Sequence, residues 1–531
     1  MSVPENSNNK FPIPEEFENK RILSRDGSTV SIWQEGVFEA SSKKGSFNSN
    51  TVYDVLIVGG GITGLTAALL LQKAGKMCLL AEAKTLGHGT TSGTTAHINT
   101  YVDTSYYQIK KDFGKEGAEL VAEATKEAID LVYRNVKEYN IDCGFEFLPG
   151  LLYAETEKQG SELEEIYRAS EEAGVSVRIG SEIPIPVSFK KTICYESQAQ
   201  FHPIKYILGL ASEFQKLGGI ISENTFVRSL DSSDSIHTAH TDLFPIQATN
   251  VIYATHIPPG INLLHFRCAP YRSYAVGVKV PDHLYPEAVV YDMQNPYHYF
   301  RSHNISGQKY LIVGGEDHKT GHGDPDESFK RLEQYVKDIY KSATIEYRWS
   351  AQYYEPVDGL PYIGKLPGVA EGIYVGTGYS GNGITYGTIA AKILSDLIVG
   401  EKSRFQKIFS PSRIKPVAGF QEFVKENSDV AYKFIADRFG AEEIGSLSEI
   451  EPDTGAVIEY NKEKLAIYKD IAGKLHALNP VCTHAKCIVN WNNSEKSWDC
   501  PCHGARYDTA GNVLNGPASK NLQKVVLNWN A

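Results

Sequence analysis

The first strongly apolar part of the chain consists of two short runs with a helical pattern between them. Residues 53–58 and 77–81 are continuous apolar runs of strand length, and residues 65–74 repeat apolar positions as a helix does. Three glycines, Gly59, Gly61 and Gly64, separate the first run from the helix, and Glu82 closes the second run. The pattern predicts a strand–turn–helix–strand unit of about 30 residues.

The spacing of these glycines predicts a dinucleotide site. Gly59 would make the tight turn, Gly61 would let the backbone approach a pyrophosphate, and Gly64 would let the helix pack closely. The helix N-terminus stabilises phosphates, and Glu82, 21 residues after Gly61, can accept hydrogen bonds from a ribose. An ordinary glycine loop would lack the flanking strands and the terminal acid.

The residues after Glu82 distinguish a flavin from a nicotinamide cofactor. A nicotinamide enzyme would continue with further strand–helix units, whereas residues 87–96 form a run of Gly, Ser and Thr that can wrap a second phosphate. A second glycine motif, between Gly376 and Gly381, follows an apolar strand, but the helix after it leads into a linker and not into a strand with a terminal acid. The sequence therefore favours one FAD site and no separate NAD site.

Two further regions indicate a substrate domain inserted into the nucleotide fold. Residues 105–180 carry apolar positions at helical spacing, and residues 266–345 alternate as strands before a charged helix. Within the latter, alternation places Tyr297, Tyr299 and Arg301 on one face, which we interpret as a wall facing the substrate. Arg301 could pair with a substrate carboxylate, or it could be a structurally paired arginine.

Polar segments flank residues 51–400 on both sides. Residues 1–50 read as a polar arm with one short strand at 30–33, and residues 401–440 read as a basic, proline-containing linker followed by a helix at 421–439.

Composition limits the classes of protein that remain. The chain has 531 residues, is 42% apolar and carries a net charge of −11, so it has no basic field for nucleic acid. No apolar run approaches the ~18 residues of a membrane span, and the first 20 residues lack the apolar segment of a signal peptide. We expect a cytoplasmic protein with a small-molecule substrate.

Four residues near the C-terminus have metal-ligand spacing. Cys482 and His484 lie in one short segment, and Cys500 and His503 lie in another. Two thiolates and two imidazoles can hold zinc or a Rieske [2Fe–2S] centre, while a purely structural cysteine cluster is a third interpretation. Because each segment supplies one residue of each kind, one iron can take the cysteines and the other the histidines, which favours the Rieske centre.

The residues around these ligands resemble the Rieske family. The segments read CTHAKC and CPCHG, followed by Tyr507. The resemblance implies that Cys482 and Cys500 hold one iron, that His484 and His503 hold the other, and that Cys487 and Cys502 form a disulfide; two free thiols are the alternative. Members with a high potential have a serine where this chain has Ala505, so a sulfur loses a hydrogen-bond donor and we expect a lower potential.

The larger part of the chain resembles the D-amino-acid-oxidase-like (glycine/sarcosine oxidase) flavoprotein family, in particular its members with a C-terminal Rieske domain. The likeness spans most of residues 52–531. It implies that Val227 meets the adenine through its backbone and that the helix after Gly383 points at the pyrimidine edge of the flavin. The FAD contacts that we predict are Gly59, Gly61, Ile62, Thr63, Gly64, Glu82, Ala83, Thr90, Thr91, Ser92, Val227, Ala254, Thr255, Gly378, Gly381, Asn382, Gly383 and Ile384.

The expected fold is an α/β Rossmann-like FAD-binding domain with an inserted α+β substrate domain, plus a C-terminal all-β Rieske domain. The FAD domain comprises 51–105, 195–265 and 345–400; the substrate domain comprises 106–194 and 266–344; the Rieske domain comprises 441–531.

The expected activity is that of a dehydrogenase which oxidises a small amine or amino acid and passes electrons from FAD through the cluster to an unidentified acceptor. The alternatives are a reductase that runs in the opposite direction, and a non-enzymatic electron carrier or redox sensor. The sequence identifies no catalytic base.

Overall fold

The protein is described from a computed structural model. The description covers residues 24–37, 51–413, 426–427, 442–443, 449–460 and 462–526. The predicted helix at 421–439 lies outside these residues, apart from positions 426 and 427.

The first sheet contains the predicted strand–helix–strand unit. Strand Val52–Val58 pairs in parallel with Cys78–Ala81 on one side and with Ile246–Tyr253 on the other. Buried apolar side chains cover both faces, as expected for a parallel sheet between helices. Its eight strands are Val52–Val58, Cys78–Ala81, Ile220–Ser222, Val227–Ser233, Ile236–Thr241, Ile246–Tyr253, Tyr362–Lys365 and Ile373–Thr377.

The second sheet has nine strands and forms the substrate domain. The strands are His97–Ile98, Glu146–Ala154, Val177–Ile179, Lys191–Gln200, Cys268–Lys279, Val289–Tyr291, Tyr299–Ile305, Gln308–Lys319 and Thr344–Pro356. Strand Thr344–Pro356, which the predicted boundary at 345 assigned to the FAD domain, pairs along its whole length with Cys268–Lys279. The predicted boundary at 195 also cuts a strand of this sheet, Lys191–Gln200.

Helices cover both sheets. The α-helices are Ile62–Lys73, Thr90–Gly93, Tyr106–Glu138, Glu157–Glu172, Pro203–Lys216, Pro325–Ile339, Gly383–Val399 and Gln406–Phe409, and the 3₁₀ helices are Ile32–Gln34, Leu263–Phe266 and Asp282–Leu284. The long helix Tyr106–Glu138 is broken at Gly114, whose φ of 81° is not helical. No helix in the described part of the chain is long and apolar enough to cross a bilayer. The cytoplasmic location stays a prediction.

Two small sheets build the C-terminal domain. The first contains Glu442–Glu443, Thr454–Tyr460, Glu463–Lys469 and Leu475–Leu478; the second, entirely antiparallel, contains Asn490–Asn492, Ser497–Asp499, Arg506–Asp508 and Val513–Asn515. No α-helix occurs among the residues described after 443, in agreement with the expected all-β domain.

The N-terminal segment differs from the prediction. Within the predicted polar arm, residues 24–37 include buried side chains, and the predicted strand at 30–33 is replaced by the 3₁₀ helix Ile32–Gln34. The side-chain oxygen of Gln34 accepts a hydrogen bond from the backbone N–H of Ser31 at 2.8 Å and fixes this turn. Trp33 is fully buried and donates its indole N–H to the carbonyl of Thr94 at 2.5 Å.

A buried set of charges joins this segment, the second sheet and the C-terminal domain. The set, called the interface network below, consists of Arg25, Asp26, Arg272, Glu495, Asp499 and Arg506. Arg506 lies 3.1 Å from Asp26 and 3.0 Å from Asp499. Arg25 lies 3.0 Å from Glu495, and Arg272 lies 3.7 Å from the same carboxylate. Three arginines thus meet three carboxylates, so the buried network carries no net charge.

Candidate functional site

The glycine turn after the first strand has the geometry of a nucleotide-binding loop. Gly59 adopts a φ of 111°, which side chains disfavour, and a Cβ at Gly64 would lie 1.9 Å from the carbonyl oxygen of Gly59. Gly64 therefore permits the close contact between helix and turn. A Cβ at Gly61 would lie 2.9 Å from the hydroxyl of Thr91, so this position also needs an open backbone.

The carboxylate of Glu82 fixes the glycine turn through hydrogen bonds to backbone N–H groups. Its carboxylate accepts the backbone N–H of Gly60 at 2.7 Å and that of Lys84 at 2.8 Å. Burial raises its pKa, although the two backbone hydrogen bonds act in the opposite direction. Each carboxylate oxygen keeps a lone pair, and the side chain lines the adjoining cavity, so Glu82 can still accept hydrogen bonds from a ribose.

A long cavity runs from this turn to the second sheet. Most of the predicted FAD contacts line it: Gly59, Gly61, Ile62, Thr63, Glu82, Ala83, Thr90, Thr91, Val227, Ala254, Thr255, Gly381, Asn382, Gly383 and Ile384. These residues come from separate parts of the chain, yet they form one continuous lining that begins at a helix N-terminus. The donor set and the open glycine backbones fit an extended dinucleotide such as FAD.

Three predicted contacts do not line the cavity. Gly64 packs behind the turn. Ser92 is buried and its hydroxyl donates to the carbonyl of Gly89 at 3.0 Å. Gly378, at a φ of 73°, faces Pro356 and Cys268, which a Cβ would approach to 3.2 and 3.3 Å. All three shape the backbone around the cavity.

The far end of the cavity, called the tyrosine end, is formed by aromatic side chains: Tyr101, Tyr291, Tyr297, Tyr299 and Tyr353. Two of the three residues of the predicted substrate wall lie at this end. Tyr297 and Tyr299 line the cavity, with ring centroids 5.7 Å apart. Both belong to the stretch that the alternation predicted.

Arg301 is not part of this wall. It is fully buried, and its guanidinium donates to the carbonyls of Thr95 and Ala96, each at 2.7 Å. The guanidinium carbon also lies 5.3 Å from the ring of Trp33. Its hydrogen bonds to backbone identify it as the structurally paired arginine of the two alternatives, and a substrate carboxylate cannot be assigned to it.

Two carboxylates at the tyrosine end were missed from the sequence. Asp103 accepts the backbone N–H of Gly381 at 2.6 Å, and its own N–H donates to Asn382, so it is fixed beside the start of the helix Gly383–Val399. Asp317 accepts the hydroxyl of Tyr353 at 2.9 Å. No local motif marks either residue, because the fold brings them together from different parts of the chain.

These carboxylates have raised pKa values. The surrounding cavity walls raise the pKa of Asp103 to about 6 by desolvation, against the hydrogen bonds from Gly381 and Tyr297, although the residue stays open to the cavity. Desolvation raises the pKa of Asp317 to about 7, while the nearby side chains of Ser273 and Tyr353 act in the opposite direction. Behind them, burial raises the pKa of Glu355 to about 8, with further contributions from Asp103 and Asp317. A cation bound among them would restore the ionised forms.

The four predicted cluster ligands come together in the C-terminal domain. The rings of His484 and His503 have centroids 5.0 Å apart, and Nδ1 of each ring is buried with no hydrogen-bond partner among the residues that the structure describes. Cys482 and Cys500 are buried and unbridged. Two orphaned imidazole nitrogens beside two free thiols suit an iron centre with mixed ligands.

The remaining two cysteines form the predicted disulfide, Cys487–Cys502. The sulfurs of Cys487, Cys500 and Cys502 lie within 4.8 Å of one another, but two of them are used in the disulfide, which leaves Cys500 to bind metal. The hydroxyl of Tyr507 lies 3.3 Å from the sulfur of Cys482. Ala505 is buried and supplies only its carbonyl, which accepts the N–H of Cys500 at 2.8 Å.

The two cluster segments are docked on the wall of the long cavity. Nε2 of His484 lies 3.0 Å from the carbonyl oxygen of Gly260, and the ring of His265 lies 4.6 Å from that of His484. The amide of Gln352 donates to the carbonyl of Gly504 at 2.9 Å. Gln352 itself lines the cavity, so one residue separates the cavity from a cluster segment.

The C-terminal domain also contributes directly to the cavity. Four of its residues are among those lining it: Leu514, Asn515, Gly516 and Ala518. Both candidate redox sites therefore share one wall, formed by residues from each domain.

Family comparisons agree with this arrangement. The profile of the FAD dependent oxidoreductase family matches residues 54–397, and that of the Rieske [2Fe-2S] domain matches residues 442–526. The chain belongs to the FAD dependent oxidoreductase family and carries a C-terminal Rieske [2Fe-2S] domain. Its cofactors are therefore FAD and a [2Fe–2S] cluster, and the zinc alternative is wrong.

A relative with the same domain order is YhfW of Bacillus subtilis (strain 168), whose name describes a Rieske 2Fe-2S iron-sulfur protein. It is 32% identical over 485 residues, which cover 91% of this chain and 95% of the relative. Gamma-glutamylputrescine oxidoreductase of Escherichia coli (strain K12) is 25% identical over 68% of this chain and 87% of its own length. Glycine oxidase from Geobacillus kaustophilus superposes with a TM-score of 0.59 at 21% identity, covering 68% of this chain and 99% of that structure.

Proposed function

We propose that the protein is a dehydrogenase that oxidises a small amine or amino acid and delivers the electrons through its Rieske cluster to a separate acceptor. When bound, FAD takes up a hydride and the cluster carries one electron at a time. The names of two similar proteins, gamma-glutamylputrescine oxidoreductase and glycine oxidase, support a substrate from this class.

One observation carries the proposal: the cluster segments pack against residues of the cofactor-cavity wall and its neighbours. His484 is fixed to Gly260, and the hydroxyl of Tyr354 donates to the carbonyl of His503 at 3.1 Å. Gln352 links Gly504 to the cavity wall. A domain placed in this way suits electron exchange within one chain.

The remaining residues position and enclose the reactants. The N-terminus of the helix Gly383–Val399 directs backbone N–H groups into the cavity, where they stabilise negative charge. Tyr297 and Tyr299 exclude water from the tyrosine end. Asp103 is fixed beside this helix start and gives that end a negative charge.

Anaerobic mixing with a panel of primary amines, N-methylamines and amino acids tests the proposal. We expect the flavin absorption band to bleach first and the cluster band to follow. In Cys500→Ser the flavin should still bleach, while the cluster band should be absent and turnover with a one-electron dye should be lost. Cys143→Ser, which changes a buried free cysteine elsewhere, should behave like the wild type.

Two results would contradict the proposal. If the wild type and Cys500→Ser consumed oxygen and released peroxide at the same high rate, the protein would be an oxidase. If no member of the panel bleached the flavin, the substrate class would be wrong.

A further inference from the structure

We propose that the tyrosine end binds its substrate as a cation and selects amines that have no carboxylate on the reacting carbon. This inference rests on the proposed function and narrows it from amines and amino acids to carboxylate-free amines.

The walls of the tyrosine end suit a positively charged group. The rings of Tyr101 and Tyr291 lie 5.0 Å apart, and His97 contacts Tyr291 and Tyr299 at centroid distances of 5.5 and 5.4 Å. Several aromatic faces around one space attract ammonium groups, and quaternary ammonium ligands in particular are held this way.

Negative charge is placed in the same space. Asp317 uses one oxygen to accept the hydroxyl of Tyr353, while its Oδ1 is buried and has no hydrogen-bond partner in the described part of the chain. Asp103 lies on the opposite element, next to Gly381 and Tyr297. An ammonium would supply the missing donor to Oδ1 of Asp317.

The described lining of the tyrosine end offers no lysine or arginine that could receive a substrate carboxylate. Among the described residues that line the cavity, the only lysine or arginine is Lys84, which lies next to the ribose-binding Glu82. His97 is neutral, because burial and the nearby Arg301 hold its pKa well below the usual range. Arg301 itself is occupied by backbone carbonyls.

The raised pKa values of the two carboxylates are consistent with a lining that has no lysine or arginine beside them among the described residues. Burial raises the pKa of Asp317 to about 7, and the nearby Asp103 adds to this effect. A substrate carboxylate placed beside these two groups would raise both values further and be repelled. A substrate ammonium would lower both and be attracted.

Three probes separate these cases on the holoenzyme. Butylamine and norvaline differ only by a carboxylate on the reacting carbon, and butyltrimethylammonium is a cation that cannot be oxidised at nitrogen. We expect calorimetry to detect butyltrimethylammonium binding, and we expect butylamine to bleach the flavin at least tenfold faster than either enantiomer of norvaline at equal concentration.

Variants show whether the carboxylates cause the selectivity. Asp317→Asn and Asp103→Asn keep the size of the side chain, and each should weaken butyltrimethylammonium binding at least tenfold without loss of the flavin or cluster absorption. Asp282→Asn changes an exposed carboxylate outside the cavity and should leave binding unchanged.

The inference is overturned if norvaline bleaches the flavin as fast as butylamine, if butyltrimethylammonium does not bind, or if neither aspartate variant weakens its binding. A fast reaction with norvaline alone would leave the proposed function intact. Binding of butyltrimethylammonium that depends on Asp317, without any flavin bleaching by the panel, would support the inference and refute the proposed function.

Discussion

The interface network and the tyrosine end both contain carboxylates with poor access to water, but among the described residues only those of the network are paired with arginines. In the network, burial alone would raise the pKa of Asp499, yet Arg506 and Arg272 outweigh it and lower the pKa below its usual range. Among the described residues that line the tyrosine end there is no arginine, and burial raises the pKa of Asp317 to about 7. Burial therefore does not decide the charge state of a carboxylate by itself; the available cation does.

The difference separates two roles. A network in which every carboxylate is paired with an arginine fixes one domain against another, since its charges are balanced before any ligand arrives. An unpaired carboxylate in a cavity is satisfied only when a ligand supplies the cation. Changes in either region test this difference.

The largest effect is expected from Arg506→Met. This change leaves Asp26 and Asp499 buried without their main partner, and removal of one member of a buried ion pair costs about 3–5 kcal/mol. Denaturant unfolding that follows the C-terminal domain should show a loss of this size.

Arg404→Met is the matched control. Arg404 is 60% exposed and pairs with Glu123 at 2.8 Å, so we expect a loss of only about 0–1 kcal/mol. Equal losses in the two variants would show that the interface network does not hold the domains together.

An intermediate effect is expected from pH on the affinity for butyltrimethylammonium. A cation binds to the ionised form of Asp317, whose pKa is about 7, so affinity for butyltrimethylammonium should rise by about tenfold per pH unit below 7 and level off above it. Calorimetry between pH 5.5 and 8.5, values chosen to span about 1.5 units on each side of that pKa, measures this directly.

In Asp317→Asn the affinity should fall at every pH, and the midpoint of its pH dependence should move toward about 6, the pKa of Asp103. A midpoint unchanged by the substitution would assign the titration to another group.

The smallest effect is expected on the reduction potential of the cluster. Ala505→Ser offers a hydroxyl to a cluster sulfur, and one hydrogen bond of about 0.5–1.5 kcal/mol corresponds to roughly 20–65 mV for one electron. We expect the potential to rise by that amount in a spectroelectrochemical titration. Tyr507→Phe, which removes the hydroxyl 3.3 Å from Cys482, should lower it by a similar amount; a fall in Ala505→Ser would contradict the assignment.

Sequence and structure agree best where function depends on neighbours along the chain. Gly59, Gly61 and Glu82 lie within one strand–helix–strand unit, and their spacing alone specifies a nucleotide turn. Cys482 and His484 likewise belong to one short segment, so the motif predicts the ligands directly.

Agreement ends where the fold joins distant residues. Arg506 meets Asp26 across 480 positions, and no pattern in the polar arm distinguishes Asp26 from a solvated acid. Arg301 shows the converse error: strand alternation gives its face correctly, but only the structure shows that the carbonyls of Thr95 and Ala96 lie there. Asp103 and Asp317 carry no local signal, because their importance lies in a cavity lining that has no lysine or arginine beside them among the described residues.

The four residues Leu514, Asn515, Gly516 and Ala518 have a consequence for how the protein matures. They lie within the last 20 positions of a 531-residue chain, and they form part of the cavity wall that begins at Gly59. During synthesis the nucleotide turn therefore emerges long before the wall opposite to it exists. We therefore expect retention of the flavin to depend on the docking of the iron–sulfur domain, even in a variant that lacks the cluster.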